Sequence, residues 1–215
     1  GKASPADFDA TLEEFADGIS ALSPQARALA ATAIREAFEE SGILLVRDAA
    51  TGEMIDATRL GTLHPYRQAI EHGEINLIGM LRREGLRLAC DELVPFAHWI
   101  TPDLMPKRFD THFFLARTPR GHIGRHDGRE SVDSMWIRPE DAIRDRKKWN
   151  VIFPTKLNLM KLAASKTVDD AMGTARAVPP LTVEPWVEKG PWGNLLRIRD
   201  DAGYEQTTTL MRDAL

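Results

Sequence analysis

Three glutamates near the end of one predicted helix have the spacing of a cation-binding patch. Glu36 lies one helical turn before Glu39 and Glu40, so the three carboxylates share one surface. Like charges at this spacing repel by about 0.2–0.5 kcal/mol per pair, and the negative end of the helix dipole disfavours each anion by roughly 0.3–1 kcal/mol. Folding alone would not select this arrangement. A hard divalent cation such as Mg²⁺ converts the repulsion into ligation, because it prefers oxygen ligands.

The chemistry that such a patch supports is hydrolysis of a diphosphate linkage. With two or more bound cations, a diphosphate is polarised, a water molecule is activated as the nucleophile, and the leaving phosphate is neutralised. The alternative is a solvated helix face, which is the commoner origin of an isolated E-x-x-E-E pattern. The surrounding residues favour the metal site, because Arg35 precedes the carboxylates and Gly42 ends the helix directly behind them.

The helix that carries the glutamates has clear boundaries in the sequence. Ser23 is a good capping residue, Pro24 suits the first helical position, and Gly42 suits the end. One apolar stripe predicts the buried face; it consists of Ala26, Leu29, Ala30, Ala33, Ile34, Ala37 and Phe38. The continuous apolar run 43–46 follows directly and predicts a buried strand. A helix, a glycine and a strand therefore position the glutamates.

The rest of the chain alternates between predicted helices and strands. Helical periodicity or helix-opening residues predict further helices at 8–20, one or two within 65–90, a short one from Pro139, and helices at 154–164 and 168–177. Strand patterns occur at 93–100 and 109–116, which are expected to pair, and at 131–137 after a loop at 118–129. The last 35 residues are predicted to be extended.

Residues 35–43, REAFEESGI, resemble the second half of the Nudix box, whose pattern ends R-E-apolar-x-E-E-x-G-apolar. In that family the box forms a loop, helix and loop on an α/β/α sandwich, and its glutamates bind Mg²⁺ or Mn²⁺ during hydrolysis of nucleoside diphosphates linked to another moiety. The resemblance implies that Glu36, Glu39 and Glu40 are metal ligands and that Arg35 orients them. It also allows Glu36 a role in base chemistry.

The fold class that the resemblance implies is α/β, a Nudix-type α/β/α sandwich with a mixed sheet. We expect a helical insertion at about 52–90 and a C-terminal extension. The corresponding domain prediction assigns 1–150 to the Nudix hydrolase domain and 151–215 to a helical and extended appendage packed on it.

The first half of the box departs from the family pattern. The family places a glycine fourteen residues before the arginine and a glutamate eight residues before it, where this chain has Ala21 and Arg27. One interpretation is an insertion at 3–22, with Gly1 and Lys2 as the remnant of the opening Gly-Gly and the family's leading strands upstream of Gly1. The other is an altered protein that binds a ligand without turnover.

A second and looser resemblance covers most of the chain. The segments 96–102, FAHWITP, and 107–111, KRFDT, are similar to the branch that contains the animal peroxisomal coenzyme A diphosphatases, as are Pro154-Thr155 and Ala175-Arg176 further on. This resemblance implies cleavage of coenzyme A or acyl-coenzyme A. ADP-ribose, a nucleotide sugar or a dinucleotide are alternative substrates for the same metal site.

Several further polar residues are candidates for the site. Glu130 follows the Gly- and His-containing loop, at a place from which Nudix enzymes often deliver an extra acid to the metals, and Asp133 competes for this role. Lys107 and Arg108 are candidates for contacts with substrate phosphates. The alternatives are a solvated loop acid and a surface pair of cations flanking a strand.

The histidines and the cysteine suggest no additional chemistry by their spacing. His98, His112, His122 and His126 do not form a zinc motif of the HExxH or CxxC type, so a zinc site is not expected. Cys90 has no basic neighbour in sequence and is expected to be a small buried hydrophobe.

Composition limits the classes of partner. The chain of 215 residues carries a net charge of −4, which gives no long-range attraction for nucleic acid. Its longest apolar runs fall short of the roughly 20 residues that span a bilayer, and its single cysteine cannot form an internal disulfide. We therefore expect a soluble, cytoplasmic protein that binds neither nucleic acid nor a membrane. The Nudix resemblance implies a small nucleoside diphosphate derivative as the substrate and a homodimer as the default.

Overall fold

The computed structural model describes residues 12–103, 105–126, 128, 133–145 and 148–214. Contacts divide the chain into two compact units, each built from two stretches of sequence. The first unit consists of Gly1–Leu93 and Ala116–Met135, and the second of Val94–Leu115 and Trp136–Leu215. This division does not coincide with the boundary at residue 150 expected from the sequence, and that domain boundary stays a prediction.

In its described residues, the first unit combines a helical segment at 12–15 and three longer helices with a small mixed sheet. The helices are α1 (Pro24–Ser41), α2 (Ala57–Glu71) and α3 (Leu77–Glu84). The strands are β1 (Ala16–Asp17), β2 (Val46–Asp48) and β3 (Leu86–Ala89), and a short 3-10 helix, Cys90–Glu92, follows. In the order β1-β3-β2, the central strand β3 is parallel to β1 and antiparallel to β2.

Helix α1 has the boundaries that the sequence predicts. The Ser23 hydroxyl accepts a hydrogen bond from the Ala26 amide at 3.3 Å, and Pro24 follows as the first helical residue. At the other end Gly42 adopts a left-handed φ of 71°, and its amide donates to the Phe38 carbonyl at 3.0 Å. Ile34 and Phe38 are fully buried in the core of this unit, so the apolar face fixes the rotation of the helix.

Three predictions for the first unit need correction. Residues 12–15 are helical, but the predicted first helix does not continue to residue 20, since Ala16–Asp17 form β1 opposite Leu88 and Ala89. Leu86–Ala89 form strand β3 and not the end of a helix. In the run 43–46 only Val46 is in a strand, although Leu44 and Leu45 are buried. In the first two cases pairing with a distant segment decides the conformation, and local periodicity does not record that pairing. In the third case the ladder of β2 begins only at Val46.

The second unit contains two further sheets. Strands β4 (Val94–Ile100), β5 (Asp110–Leu115) and β6 (Thr182–Val183) are ordered β5-β4-β6, with β5 antiparallel and β6 parallel to β4. Strands β7 (Trp186–Gly190), β8 (Gly193–Arg197) and β9 (Thr208–Leu210) form an antiparallel sheet. The helices are α4 (Pro139–Arg144), α5 (Phe153–Ala163) and α6 (Val168–Ala177), and Met211–Asp213 form a 3-10 helix.

The predicted pairing of 93–100 with 109–116 is confirmed, and so are the helices predicted from Pro139, at 154–164 and at 168–177. The predicted strand at 131–137 is wrong for residues 133–137, which are irregular. Met135 and Trp136 are 50% and 69% exposed, so the alternating pattern there has no buried face. Helices together with mixed sheets confirm the α/β class.

A hydrogen-bonded aromatic group lies in the core of the second unit. The Trp99 indole N–H donates to Tyr204 Oη at 3.1 Å and to Asn158 Oδ1 at 3.3 Å, and the Tyr204 hydroxyl donates to the same Asn158 oxygen at 2.7 Å. Phe153 and Leu157 pack in the same cluster.

Among the described residues, no helical segment combines the length and the apolar character that crossing a bilayer requires.

Candidate functional site

Arg35 joins two of the three predicted metal ligands. Its Nη1 donates to Glu39 Oε2 and its Nη2 donates to Glu36 Oε1, each at 2.5 Å. One guanidinium therefore fixes two carboxylates on the last two turns of α1 in the geometry of two charge-assisted hydrogen bonds. The structure brings Arg35, Glu36 and Glu39 together as the sequence predicts, and Glu40 lies exposed on the same turn as Glu39.

The electrostatics keep this arginine charged. Partial burial alone would lower the pKa of Arg35, but the hydrogen bonds and charges of Glu39 and Glu36 outweigh the burial, so the pKa is raised above its ordinary value. The two carboxylates differ in their access to solvent, since the Glu39 side chain is 17% exposed and that of Glu36 is 50% exposed. Glu39 is thus the more firmly enclosed carboxylate, and Glu36 is the one that water reaches.

The end of α1 is held by a second arginine that the sequence did not suggest. Arg67, on α2, donates from Nε to the Glu39 carbonyl at 2.8 Å and from Nη2 to the Glu40 carbonyl at 2.7 Å. The amide of Arg125 donates to the Ser41 carbonyl at 2.7 Å. A cation at this position offsets the negative end of the helix dipole, which otherwise disfavours the nearby carboxylates. Arg67 is 28 residues from Glu39 in sequence, so no local pattern identifies it.

Arg35 and Glu39 open onto a cavity of about 490 Å³ in the first unit. The end of α2, the start of α3 and the connection between them supply the other wall. The residues of that wall are Ile70, Gly73, Glu74, Ile75, Asn76, Leu77 and Gly79. This volume falls in the range of small-molecule sites. The Glu39 carboxylate that Arg35 holds therefore lines a cavity large enough for a ligand.

The carboxylates at the end of α1 supply the donor type that a hard divalent cation prefers. Arg35 engages one oxygen of Glu36 and one of Glu39, and each carboxylate has a second oxygen. Glu40 adds a third carboxylate on the same turn. Oxygen donors of this kind suit Mg²⁺ or Mn²⁺, whereas soft metals prefer nitrogen and sulfur.

The remaining candidate residues for the site are the acids Glu130 and Asp133 and the cations Lys107 and Arg108. Glu130 lies outside the described residues, and Asp133 is exposed and accepts a hydrogen bond from the Ser134 amide. Lys107 and Arg108 belong to the second unit. The Lys107 ammonium lies 4.8 Å from the centroid of the Phe109 ring.

Arg108 is occupied by protein partners. Its guanidinium pairs with Asp103 and Glu184, and its Nε donates to the Thr101 carbonyl at 2.8 Å. These contacts favour the interpretation of a surface cation flanking a strand. The role of Lys107 and Arg108 in substrate binding stays a prediction.

Arg27, which stands where the family pattern has a glutamate, makes structural contacts. It pairs with Glu13 and donates from Nε to the Leu22 carbonyl at 3.0 Å. These bonds tie α1 to the segment before it, as expected if that segment is an insertion.

Cys90 is buried, as predicted. Its pKa is raised from 9.0 to about 12, first by burial and then by the charges of Asp91 and Asp17, so its thiol is not activated for nucleophilic chemistry.

Comparisons with known proteins find a matching family model, a related sequence and a similar fold. A family model described as the NUDT19 Nudix domain matches residues 2–160. The chain is 27% identical, over 133 residues, to the acyl-coenzyme A diphosphatase NUDT19 of Xenopus laevis; the match covers 57% of this chain and 35% of that protein. The chain thus spans about a third of the length of that curated relative. The crystal structure of a Nudix hydrolase from Alicyclobacillus acidocaldarius superposes with a TM-score of 0.59 at 28% identity, covering 83% of this chain and 80% of that one.

Proposed function

Because this chain belongs to the NUDT19 Nudix domain family, we propose that it cleaves the diphosphate linkage of coenzyme A or an acyl-coenzyme A at the end of α1. Hydrolysis of a diphosphate bond in a small nucleoside diphosphate derivative is the activity of the family. The coenzyme A substrate is the finer step. Its support is the similarity to a protein described as an acyl-coenzyme A diphosphatase, together with the segments 96–102 and 107–111.

One observation carries the proposal for the site. Arg35 bonds both Glu36 and Glu39 at a helix end that is capped by Gly42 and braced by Arg67. A solvated acidic face needs no such bracing. The bracing holds like charges together beside a cavity, which is the arrangement that a cation site requires.

The residues of the site have distinct roles in this proposal. Divalent cations bound by Glu36, Glu39 and Glu40 would polarise the diphosphate and lower the pKa of the attacking water. Glu39, held by Arg35 and largely enclosed, keeps one carboxylate in a fixed position. Glu36 is more exposed, so its carboxylate can accept a proton from water as a general base. Arg35 positions both carboxylates without contacting the reacting atoms.

The test is product analysis on a panel of diphosphates. The panel contains coenzyme A, an acyl-coenzyme A, ADP-ribose, NADH and a nucleotide sugar, each with Mg²⁺ or Mn²⁺. The variant Glu39→Gln removes one charged ligand but keeps an oxygen that can accept the Arg35 hydrogen bond. We expect metal-dependent release of 3',5'-ADP by the wild type, and a loss of about 100-fold or more in the variant.

The matched control is Glu53→Gln, which makes the same chemical change at an exposed glutamate between α1 and α2. It should retain wild-type activity. Cleavage confined to ADP-ribose, NADH or the nucleotide sugar would keep the site and change the substrate. Ligand binding without turnover at any metal concentration would support the alternative that Arg27 suggests, a Nudix-like binding protein.

A further inference from the structure

Two histidines and an aspartate converge on one face of the sheet in the second unit. His98 on β4 and His112 on β5 are directly opposite each other in the strand register. Their rings stack with centroids 3.9 Å apart and planes inclined by 15°. Asp110 is two residues before His112, so its side chain lies on the same face. Its Oδ1 is 2.5 Å from His98 Nε2 and 3.5 Å from His112 Nε2.

We propose that His98, Asp110 and His112 form a binding site for a divalent transition metal ion such as Zn²⁺. One donor atom from each residue lies within 4.8 Å of the other two. Two imidazole nitrogens and one carboxylate oxygen are a ligand set that suits Zn²⁺ and related ions and does not suit Mg²⁺. This site is chemically different from the all-carboxylate patch on α1, and it does not depend on the function proposed for that patch.

Two of the donor separations are close to what a zinc ion requires, and the two stacked imidazoles must turn so that their lone pairs meet at one point. Zn–N and Zn–O distances of about 2.0–2.1 Å in a tetrahedron place the ligand atoms roughly 3.3 Å apart. The distance from His112 to Asp110 already matches this separation, and the one from His98 to Asp110 must lengthen by less than about 1 Å. The Asp110 side chain is 60% exposed, so it can make this movement, and water can occupy the fourth position.

A residue outside the ligand set fixes which ring nitrogen of His98 faces Asp110. Thr182, on the neighbouring parallel strand β6, is in register with His98, and its Oγ1 lies 2.8 Å from His98 Nδ1. When Nε2 is directed at a metal ion, Nδ1 carries the proton and donates it to this hydroxyl. Ligating histidines commonly have such a partner, which fixes both the tautomer and the orientation of the ring.

The experiment measures Zn²⁺ binding to the metal-stripped full chain by calorimetry and by competition with a chromophoric chelator, in excess Mg²⁺. We expect one Zn²⁺ per chain for the wild type. His98→Asn and His112→Asn should abolish this binding, and Thr182→Val should weaken it by about 10- to 100-fold while keeping all three ligands. His64→Asn is the matched control, because it makes the same change at an exposed histidine on α2 and should bind as the wild type does.

Two further measurements separate ligation from loss of fold. Circular dichroism and thermal melting show whether each variant is folded, and Zn²⁺ should raise the melting temperature of the wild type but not that of folded His112→Asn. Co²⁺ bound in place of Zn²⁺ should show visible bands that His112→Asn lacks. Absence of zinc binding by the wild type would overturn the proposal. Wild-type stoichiometry and affinity in both histidine variants, or loss of binding in Glu39→Gln alone, would overturn it equally.

Discussion

Arg35 determines how the acidic patch on α1 is arranged. Its two hydrogen bonds, one to Glu36 and one to Glu39, require a planar group with several donors in a fixed fork. A lysine ammonium carries the same charge but is a compact point donor that cannot reproduce both bonds in this geometry. The charge of Arg35 and its shape therefore make separable contributions to the site.

Replacing Arg35 by lysine should weaken metal binding without unfolding the protein. The positive charge is kept, but Glu36 and Glu39 lose their fixed separation. We expect the Mg²⁺ concentration for half-maximal activity to rise by about 10- to 100-fold, as for other residues that orient metal ligands. Initial rates over a Mg²⁺ titration measure this shift.

The control for this substitution is Arg59→Lys. Arg59 also bridges to a glutamate, since its Nη2 lies 3.0 Å from Glu84 Oε2, but neither residue belongs to the acidic patch. It should leave the Mg²⁺ requirement unchanged. An unchanged requirement in Arg35→Lys would show that the charge of Arg35 suffices and its fork does not matter.

The candidate site could be predicted from the sequence only where its residues are close in the chain. Arg35, Glu36 and Glu39 fall within five positions, so helical geometry alone brings them together. His98 and His112 meet only because β4 and β5 pair in one register, and a slip by one residue would direct one of them to the opposite face. The positions of the histidines in the sequence do not reveal this register. For that reason their spacing does not predict a metal site.

At the C-terminal end of α1, the glycine that caps the helix lies against the arginine that braces the acidic turn. Gly42 has a left-handed φ of 71°, and a Cβ at this position would lie 3.3 Å from Nη1 of Arg67. Arg67 is the residue that bonds the Glu39 and Glu40 carbonyls. A side chain at Gly42 would therefore strain the backbone and press on the arginine that braces the acidic turn.

Gly42→Ala should destabilise the protein more than the same change at Gly85. Both glycines end a helix with positive φ, 71° and 66°, so each substitution costs roughly 1–2 kcal/mol for the left-handed conformation. An added Cβ at Gly85 meets no atom within 4 Å, whereas at Gly42 it displaces Arg67. Urea unfolding of the two variants measures the difference in free energy of unfolding. Equal losses would mean that Arg67 moves aside at no cost.

The sequence predicts the capped helix α1 well and the short strand β3 poorly. Helix α1 was predicted to its end residues, because Ser23, Pro24 and Gly42 act on the backbone next to them. The sequence does not predict strand β3, because Leu86–Ala89 lie between β1 and β2 and both partners are distant in sequence. Local chemistry identifies caps and turns, and tertiary pairing decides the short strands.

Across the whole chain, each compact unit is built from two separate stretches of sequence. The second unit takes β4 and β5 from the middle of the sequence and its remaining elements from residues after 135. β4 pairs with β6 in register, with Trp99 opposite Val183, and the Trp99 indole bonds to Asn158 and Tyr204. The predicted appendage 151–215 therefore supplies part of the core around β4.

A chain that ends at residue 150 should not form the second unit. The truncation removes α5, α6 and β6, and with them Phe153 and Leu157, which are 2% and 0% exposed in the core that contains Trp99. Burying side chains of this size contributes about 1.5–3 kcal/mol each, so the two together reach the lower end of the stability margin of a domain, about 5–15 kcal/mol. Amide hydrogen exchange compares the full chain with residues 1–150. We expect the amides of β4 to be protected in the full chain and to lose protection in the truncated one, because β5 remains but the parallel partner β6 and the core that packs on β4 are missing. Equal protection in both would show instead that 151–215 is a separable appendage.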